Sequence, residues 1–374
     1  MTLAELLARC DHAVRPAMAF LPPHLAVRVY SAARNYFLDQ FFSDIPTPYT
    51  PLQKHHVVLW GLHFRSPIFN SAGIFKNAEG YDMVYRQGAG AYLAGTTTTY
   101  PRLGNTKNGI AKPFAPYPRS YAGSNWLGLP NDGHHAVAER LAGLPRYDHF
   151  PIGVSIMAAP ESSGRSAVDE LVSAFHLYDA AGVDFIELNE SCPNTTHSDE
   201  HKSWSAMVER LQFLSEHFLH HRTRRLPVIV KFSTDTDPQQ IAPLIDCLIA
   251  QQYDGINIGN TSTQYHTHRH HIHPSEESLY RYFTETFGGG VSGLPLAESA
   301  QTLCRAAVEH YRTHHREARE FHVIQTGGIR TLHDIRTAQA HGIALCQWYT
   351  GYFEQFARVG HQVYQALLKS GSNE

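Results

Sequence analysis

Apolar and polar positions alternate along the chain in two rhythms. Over the first 45 residues apolar side chains recur at helical spacing. Leu3, Leu6 and Leu7 share one face, and Ala26, Val27, Tyr30 and Ala33 another, with Tyr36 and Phe37 beyond. Pro22-Pro23 divides this stretch into two helices, because proline has no amide hydrogen with which to continue one. Residues 43–54 carry three prolines and read as a linker. The run Val57–Phe64 then alternates in steps of two about Gly61 and predicts a hairpin. Eight short apolar runs follow, at 68–72, 91–94, 152–156, 185–188, 228–231, 255–258, 323–326 and 345–349, spaced by helix-sized segments. Strand and helix alternating eight times predict an α/β fold, a (β/α)8 TIM barrel with an N-terminal helical extension, in preference to an open doubly wound sheet. The expected division is an amphipathic segment over 1–45 and a barrel over 46–374, with the hairpin covering the barrel floor.

Composition narrows the classes. A 43% apolar and 17% charged chain is ordinary for a folded globular protein. A net charge of -3 gives no reason to expect a nucleic-acid partner. The basic run Arg222-Thr223-Arg224-Arg225 reads as a solvated strand entry. Five cysteines, an odd number with no C-x-x-C pair, suit free thiols in a reducing compartment, with Cys247, Cys304 and Cys346 in apolar, core-like surroundings. No run reaches the roughly 18 apolar residues of a membrane span, and no signal-peptide pattern opens the chain. The N-terminal pair therefore has two readings: helices packed on their own barrel, or a monotopic pair with its apolar face in a bilayer surface.

Barrel chemistry gathers in the loops after the strands. Glu187-Leu188-Asn189-Glu190-Ser191-Cys192-Pro193-Asn194-Thr195 follows the fourth strand and concentrates side-chain amides, a hydroxyl and a thiol. Such a set can hold a planar substrate and move a proton; it is also what an ordinary turn contains. Lys231 ends a buried strand, where a lysine is costly unless paired or functional. Ser71-Ala72-Gly73-Ile74-Phe75-Lys76-Asn77 offers a glycine for close backbone approach and a lysine at the barrel mouth, although a solvent-facing lysine fits as well. Glycine-rich turns, Gln325-Thr326-Gly327-Gly328-Ile329 and Trp348-Tyr349-Thr350-Gly351, follow strands seven and eight, where barrels commonly bind phosphate through backbone amides. The absence of G-x-G-x-x-G disfavours a nicotinamide cofactor. Five histidines within 266–273 have the composition of a metal site but no acidic or cysteine partners, and read as a solvated insertion near the mouth.

In order, from about Gly61 to Gln365, these motifs resemble those of the dihydroorotate dehydrogenases, flavin enzymes of pyrimidine synthesis. The resemblance implies flavin mononucleotide (FMN) as cofactor and oxidation of dihydroorotate to orotate. Cys192 would take the C5 proton and a hydride would leave C6. It implies substrate contacts from Lys76, Asn125, Gly128, Leu129, Asn189, Asn194, Asn260 and Thr261. Cofactor contacts would come from Ala72, Gly73, Lys76, Gly95, Thr96, Ser155, Asn189, Lys231, Ser292, Gly293, Gly327, Gly328, Tyr349 and Thr350. No metal is expected.

The pattern is a hybrid. Cys192 and the Gly128-Leu129-Pro130-Asn131 ending resemble the soluble class; the N-terminal helices and the position of Lys76 resemble the membrane-associated class. Phe75, Trp126 and Glu190 depart from the residues usual at their positions. The resemblance implies a quinone acceptor and peripheral attachment, through residues 1–45, to the cytoplasmic side of a membrane. A soluble cytoplasmic enzyme using fumarate, another flavin reaction on a pyrimidine, and a flavin-binding scaffold without catalysis remain the competing expectations.

Overall fold

The computed structural model describes residues 1–18, 20–190, 204–315, 317 and 319–369. Helices α1 (Leu3–Met18) and α2 (Pro23–Phe41) lead to the hairpin β1 (Val57–Leu59) and β2 (Leu62–Phe64). Then come β3 (Ile68–Asn70), α3 (Tyr81–Gln87) and β4 (Tyr92–Thr97). An insertion carries β5 (Thr106–Lys107), β6 (Ile110–Ala111), β7 (Phe114–Tyr117) and β8 (Ala122–Asn125). Strand–helix alternation resumes with α4 (His134–Ala142), β9 (Ile152–Ile156), α5 (Gly164–Ala180), β10 (Phe185–Asn189), α6 (Trp204–His217), β11 (Val228–Phe232), α7 (Ile241–Ala250) and β12 (Gly255–Ile258). A second insertion holds α8 (Tyr265–His268), α9 (Glu277–Thr286) and β13 (Gly290–Gly293). The chain finishes with α10 (Ala297–His314), β14 (His322–Thr326), α11 (Leu332–Ala340), β15 (Leu345–Trp348), α12 (Thr350–Val359) and α13 (Val363–Lys369).

Eight strands form one parallel sheet in the order β3-β15-β14-β12-β11-β10-β9-β4. Its ends meet through Gly73 N donating to Gly95 O (2.7 Å) and Gly95 N to Phe75 O (2.9 Å), which makes it a barrel. Strand runs such as Val228-Ile229-Val230 are β-branched and buried on both faces, as a sheet lined inside by side chains and outside by helices requires. Phe64, Phe69 and Phe185 fill the lower interior, with ring centroids 6.0–6.3 Å apart. Above them the lining turns polar, and Glu187, Asn257 and Gln347 are all buried.

The hairpin seals the floor as expected. Trp60 Nε1 donates to Asp254 O at 2.9 Å. The basic run beside it is exposed at Thr223, Arg224 and Arg225, as expected, and its arginines are also paired. Arg222 holds Asp254 at 2.7 Å, Arg224 holds Asp179 at 2.6 Å, and Arg225 pairs with Glu320. The three guanidiniums fasten the chain entering β11 to neighbouring elements, so their positions answer to acids far away in sequence.

The N-terminal helices also pack differently from the expectation. Ala4 and Ala8 face the barrel, whereas Leu3 and Leu6 are exposed. The small alanines let α1 lie close against α12. Arg15 then pairs with Glu354 of α12, and Glu5 accepts from the His361 amide at 3.0 Å. On α2, Phe41 stacks with Phe75 and meets Phe356 edge-on, centroids 5.0 Å apart. Ala26 and Val27 join a second, smaller core with Tyr117, Tyr280 and Phe283 beneath the sheet β7-β8-β13. Ala33 is exposed. No described helix is long and apolar enough to cross a membrane.

Candidate active site

The C-terminal strand ends open into one cleft. Its wall includes Ala72, Gly73, Lys76, Thr96, Asn125, Leu129, Asn189, Lys231, Asn260, Thr261, Ser292, Gly293, Gly327, Gly328, Tyr349 and Thr350. Most of the residues expected from sequence thus converge, although they come from strands across the whole barrel. Gly95, Ser155 and Gly128 stand behind this wall. Ser155 Oγ lies 2.9 Å from Thr96 Oγ1, Gly95 O accepts from Gly73 N, and Gly128 O accepts from Arg102 Nε at 3.2 Å. Cys192 and Asn194 lie outside the described residues.

The amide-bearing side chains are ordered by one another. Asn189 donates to Thr96 Oγ1 (3.3 Å), Asn260 donates to Asn189 Oδ1 (3.2 Å), and the Thr261 amide donates to Asn260 Oδ1 (2.9 Å). Thr261 Oγ1 is buried in the wall without a hydrogen-bond partner among the described residues. A buried hydroxyl of this kind is costly unless a bound molecule satisfies it. Behind the loop of Asn260, Asp235 accepts from the Thr263 amide (2.7 Å) and from Ser262 Oγ, and His268 Nε2 sits 2.7 Å from the same hydroxyl. His268 of the histidine-rich run is therefore buried, and burial pushes its pKa down. Its exposed neighbours His266, His270, His271 and His273 fit the solvated reading.

Lys231 reaches the cleft from inside the barrel, 4% exposed. Its Nζ lies 3.5 Å from Glu187 Oε1, an ion-pair distance rather than a close hydrogen bond. Glu187 Oε2 accepts from Asn257 Nδ2 (2.7 Å) and Gln347 Nε2 (2.8 Å). Thr326 Oγ1 donates toward Asn257 Oδ1 at 2.9 Å, with Gln347 Oε1 at 3.1 Å. Four strands thus share one buried carboxylate whose charge the lysine balances. Glu190, at the strand's exit, is taken by Arg210 of α6, and this carboxylate holds the guanidinium pKa above its ordinary value.

The other end of the cleft suits a phosphate. Gly328 has φ +74°, and a Cβ there would sit 2.4 Å from the backbone of Ala297, so the backbone amides stay bare. Gly293 has φ +100°, and a Cβ would meet Tyr121 O at 2.2 Å. Ser292 Oγ and Thr350 Oγ1 stand 3.0 Å apart where α12 begins. Arg330 adds a cation to the wall, its guanidinium 3.6 Å from the centre of the Tyr121 ring. A helix N-terminus, bare amides and an arginine together favour an anion. The donor set fits a phosphate-bearing cofactor such as a flavin nucleotide.

Sequence reasoning missed Glu187, Asn257, Thr326, Gln347, Arg330 and Arg34. Arg330 had a local signal, since it directly follows Gly327-Gly328-Ile329. Polar residues within otherwise apolar strands were the signal for Glu187, Asn257 and Gln347. Nothing local marks Arg34. Its Nη2 donates to Tyr349 OH at 2.8 Å, bringing α2 to the edge of the cleft.

A partly cationic cleft carrying convergent polar groups at the C-terminal ends of eight parallel strands is where a barrel enzyme places its active site. The chain belongs to the dihydroorotate dehydrogenase family, whose model, described as Dihydroorotate dehydrogenase, matches residues 55–370. It is similar to the dihydroorotate dehydrogenase (quinone) of Trichodesmium erythraeum, 25% identical over 368 residues, covering 96% of this chain and 88% of that protein. It is also similar to the enzyme of the same name from Teredinibacter turnerae, 28% identical over 309 residues, covering 79% and 81% of the two chains. The fold matches a ligand-free dihydroorotate dehydrogenase structure from Eimeria tenella, with TM-score 0.73, 20% identity and 93% of each chain covered.

Proposed function

We propose that this protein oxidises dihydroorotate to orotate with flavin mononucleotide and passes the electrons to a quinone. The observation that carries the reading is the meeting, in one cleft, of the Asn189–Asn260 amide pair, Lys231 and the glycine turn at Gly328. The amides and Thr261 hold the pyrimidine ring by its polar edge. Lys76 lies within reach of its carboxylate. Cys192, in the loop after Asn189, takes the C5 proton; because a free thiol has a pKa of about 8.5, the loop must favour its thiolate. Bound flavin mononucleotide would supply the acceptor for the C6 hydride. Lys231 supplies positive charge beside the flavin, where reduction develops negative charge.

The quinone follows from the helix pair. α2 reaches the cleft through Arg34 and Tyr349, while Phe20, Leu21, Leu25, Val29 and Tyr36 are exposed at its solvent side. The exposed apolar face of α2 suits peripheral contact with a bilayer, while Arg34 on its opposite face ties the same helix to the cleft. The relatives bearing quinone in their names point the same way.

The test begins with anaerobic mixing of the purified protein with dihydroorotate. The visible flavin absorbance should bleach, and denaturation should release flavin mononucleotide. A colourless protein that takes up no flavin overturns the cofactor; bound flavin that dihydroorotate leaves oxidised overturns the substrate. Turnover with a short-chain quinone and with fumarate, on the full chain and on a protein starting at Pro51, decides the acceptor. Quinone turnover should collapse on truncation while bleaching persists. Preference for fumarate overturns the quinone.

A further inference from the structure

Away from the cleft, α7 and α10 lie side by side on the outside of the barrel and bring three ligand-type side chains together. Asp246 stands on α7, His310 on α10, and His315 directly after α10. Each imidazole Nε2 lies 2.6 Å from the same oxygen, Asp246 Oδ1. The three donor atoms all fall within 4.8 Å of one another. We propose that Asp246, His310 and His315 form a divalent metal site of the zinc type, clasping α7 to the end of α10.

The chemistry of the donors supports this. Two neutral imidazoles and one carboxylate are ligands zinc accepts, and three protein ligands leave a fourth position for water. Zinc–ligand bonds of about 2.0–2.2 Å place tetrahedral donors about 3.3 Å apart. The carboxylate must therefore withdraw by less than about 1 Å from where it now accepts two N–H groups. It is free to do so, being 53% exposed, whereas the imidazoles are 17% and 23% exposed and held. His314 stacks on His310 at 4.4 Å and turns its own Nδ1 to the His310 carbonyl, so it packs a ligand ring rather than competing as a ligand. The His315 amide donates to Tyr311 O at 2.8 Å, which fixes the third ligand on the last helical turn. When Nε2 ligates the metal, each neutral imidazole gives up its Nε2 proton to solvent and takes one at Nδ1, so that no net proton is lost. The site lies on the outer helices and has no part in the oxidation chemistry, which keeps it separable from the activity.

The test is competition for zinc against a chromophoric chelator, using the flavin-loaded full chain. One zinc should bind per chain in the micromolar range, and zinc should raise the thermal midpoint. Asp246→Ala and the double change His310→Ala/His315→Ala should each weaken binding at least tenfold and abolish the zinc-dependent shift, with flavin content unchanged. If the double variant misfolds, His315→Gln at the helix end provides the same comparison. The double change His270→Ala/His271→Ala should leave binding intact. Zinc affinity unaltered in the Asp246, His310 and His315 variants overturns the site. So does loss confined to the His270/His271 variant, or no binding at submillimolar zinc.

Discussion

Arg34 on α2 donates its 2.8 Å hydrogen bond to the phenolic oxygen of Tyr349, the residue that opens the turn after the last barrel strand. One contact therefore couples the N-terminal helix pair to the cleft. On the quinone reading, Arg34→Ala removes a charge-assisted hydrogen bond worth about 1.5–3 kcal/mol. Quinone kcat/KM should fall roughly 10- to 100-fold, while anaerobic bleaching by dihydroorotate stays within about twofold of the unaltered protein. Equal losses in both half-reactions, measured by stopped flow, would put Arg34 in substrate binding instead.

Cys192→Ala should slow anaerobic flavin reduction by roughly two to four decades, the reach of general-base catalysis, and leave flavin content intact. Cys192→Ser should recover part of the rate as pH rises. A Cys192→Ala protein that reduces at the unaltered rate excludes the thiol as base.

Glu187 carries a stability prediction. Glu187→Ala leaves Lys231, Asn257 and Gln347 around a buried hole and should cost about 3–5 kcal/mol, the usual penalty for breaking a buried pair. Glu187→Gln, which keeps the shape and an acceptor, should unfold at a denaturant concentration between the two. A Glu187→Ala midpoint equal to that of the unaltered protein would show the network to be energetically idle.

His134 carries the pH dependence. It is buried beside Thr97 and Tyr178, and burial lowers its pKa to about 3. The unfolded chain, at about 6.5, takes up this proton first. The stabilisation is therefore complete above about pH 6.5 and is lost as pH falls toward 3. Over that window the slope from this one group approaches about 1.4 kcal/mol per pH unit. His134→Gln should flatten the acid limb of a chemical-denaturation series by close to one proton, and an unchanged slope would assign the acid sensitivity elsewhere.

Gly328→Ala should release the flavin. The added methyl meets Ala297 at 2.4 Å in a backbone with φ +74°, so the turn must move off the phosphate position. Flavin content after gel filtration is the readout, and a fully loaded Gly328→Ala protein would remove this turn from the cofactor site.

The barrel was legible because its strands are short apolar runs at regular spacing. All eight expected runs coincide with the sheet to within three residues at each end, and Gly61 does turn the hairpin. Much of the cleft wall was legible too, since loop residues such as Asn189, Asn260 and Gly328 carry their chemistry locally. Illegible features depended on partners distant in sequence. Leu3 and Leu6 look like a core face until α12 is seen to accept only the alanines, Ala4 and Ala8. The Arg222 run is largely exposed, as it reads, but its pairing with Asp254, Asp179 and Glu320 has no local sign. Hydropathy ranks side chains one at a time and has no means of expressing such pairings.

The buried carboxylate at Glu187 also bears on the order in which the protein is made. Its lysine and asparagine partners follow on β11 and β12, the latter 70 residues on, and Gln347 comes 160 residues on, at the final strand. A nascent chain that has released its first strands holds an ionised group whose neutralising and hydrogen-bonding partners are still unsynthesised. Closing around it early would strand a bare charge at a cost of several kcal/mol. The charge is therefore covered in steps: Lys231 on β11 can neutralise it first, and Gln347 on β15 adds the last hydrogen bond.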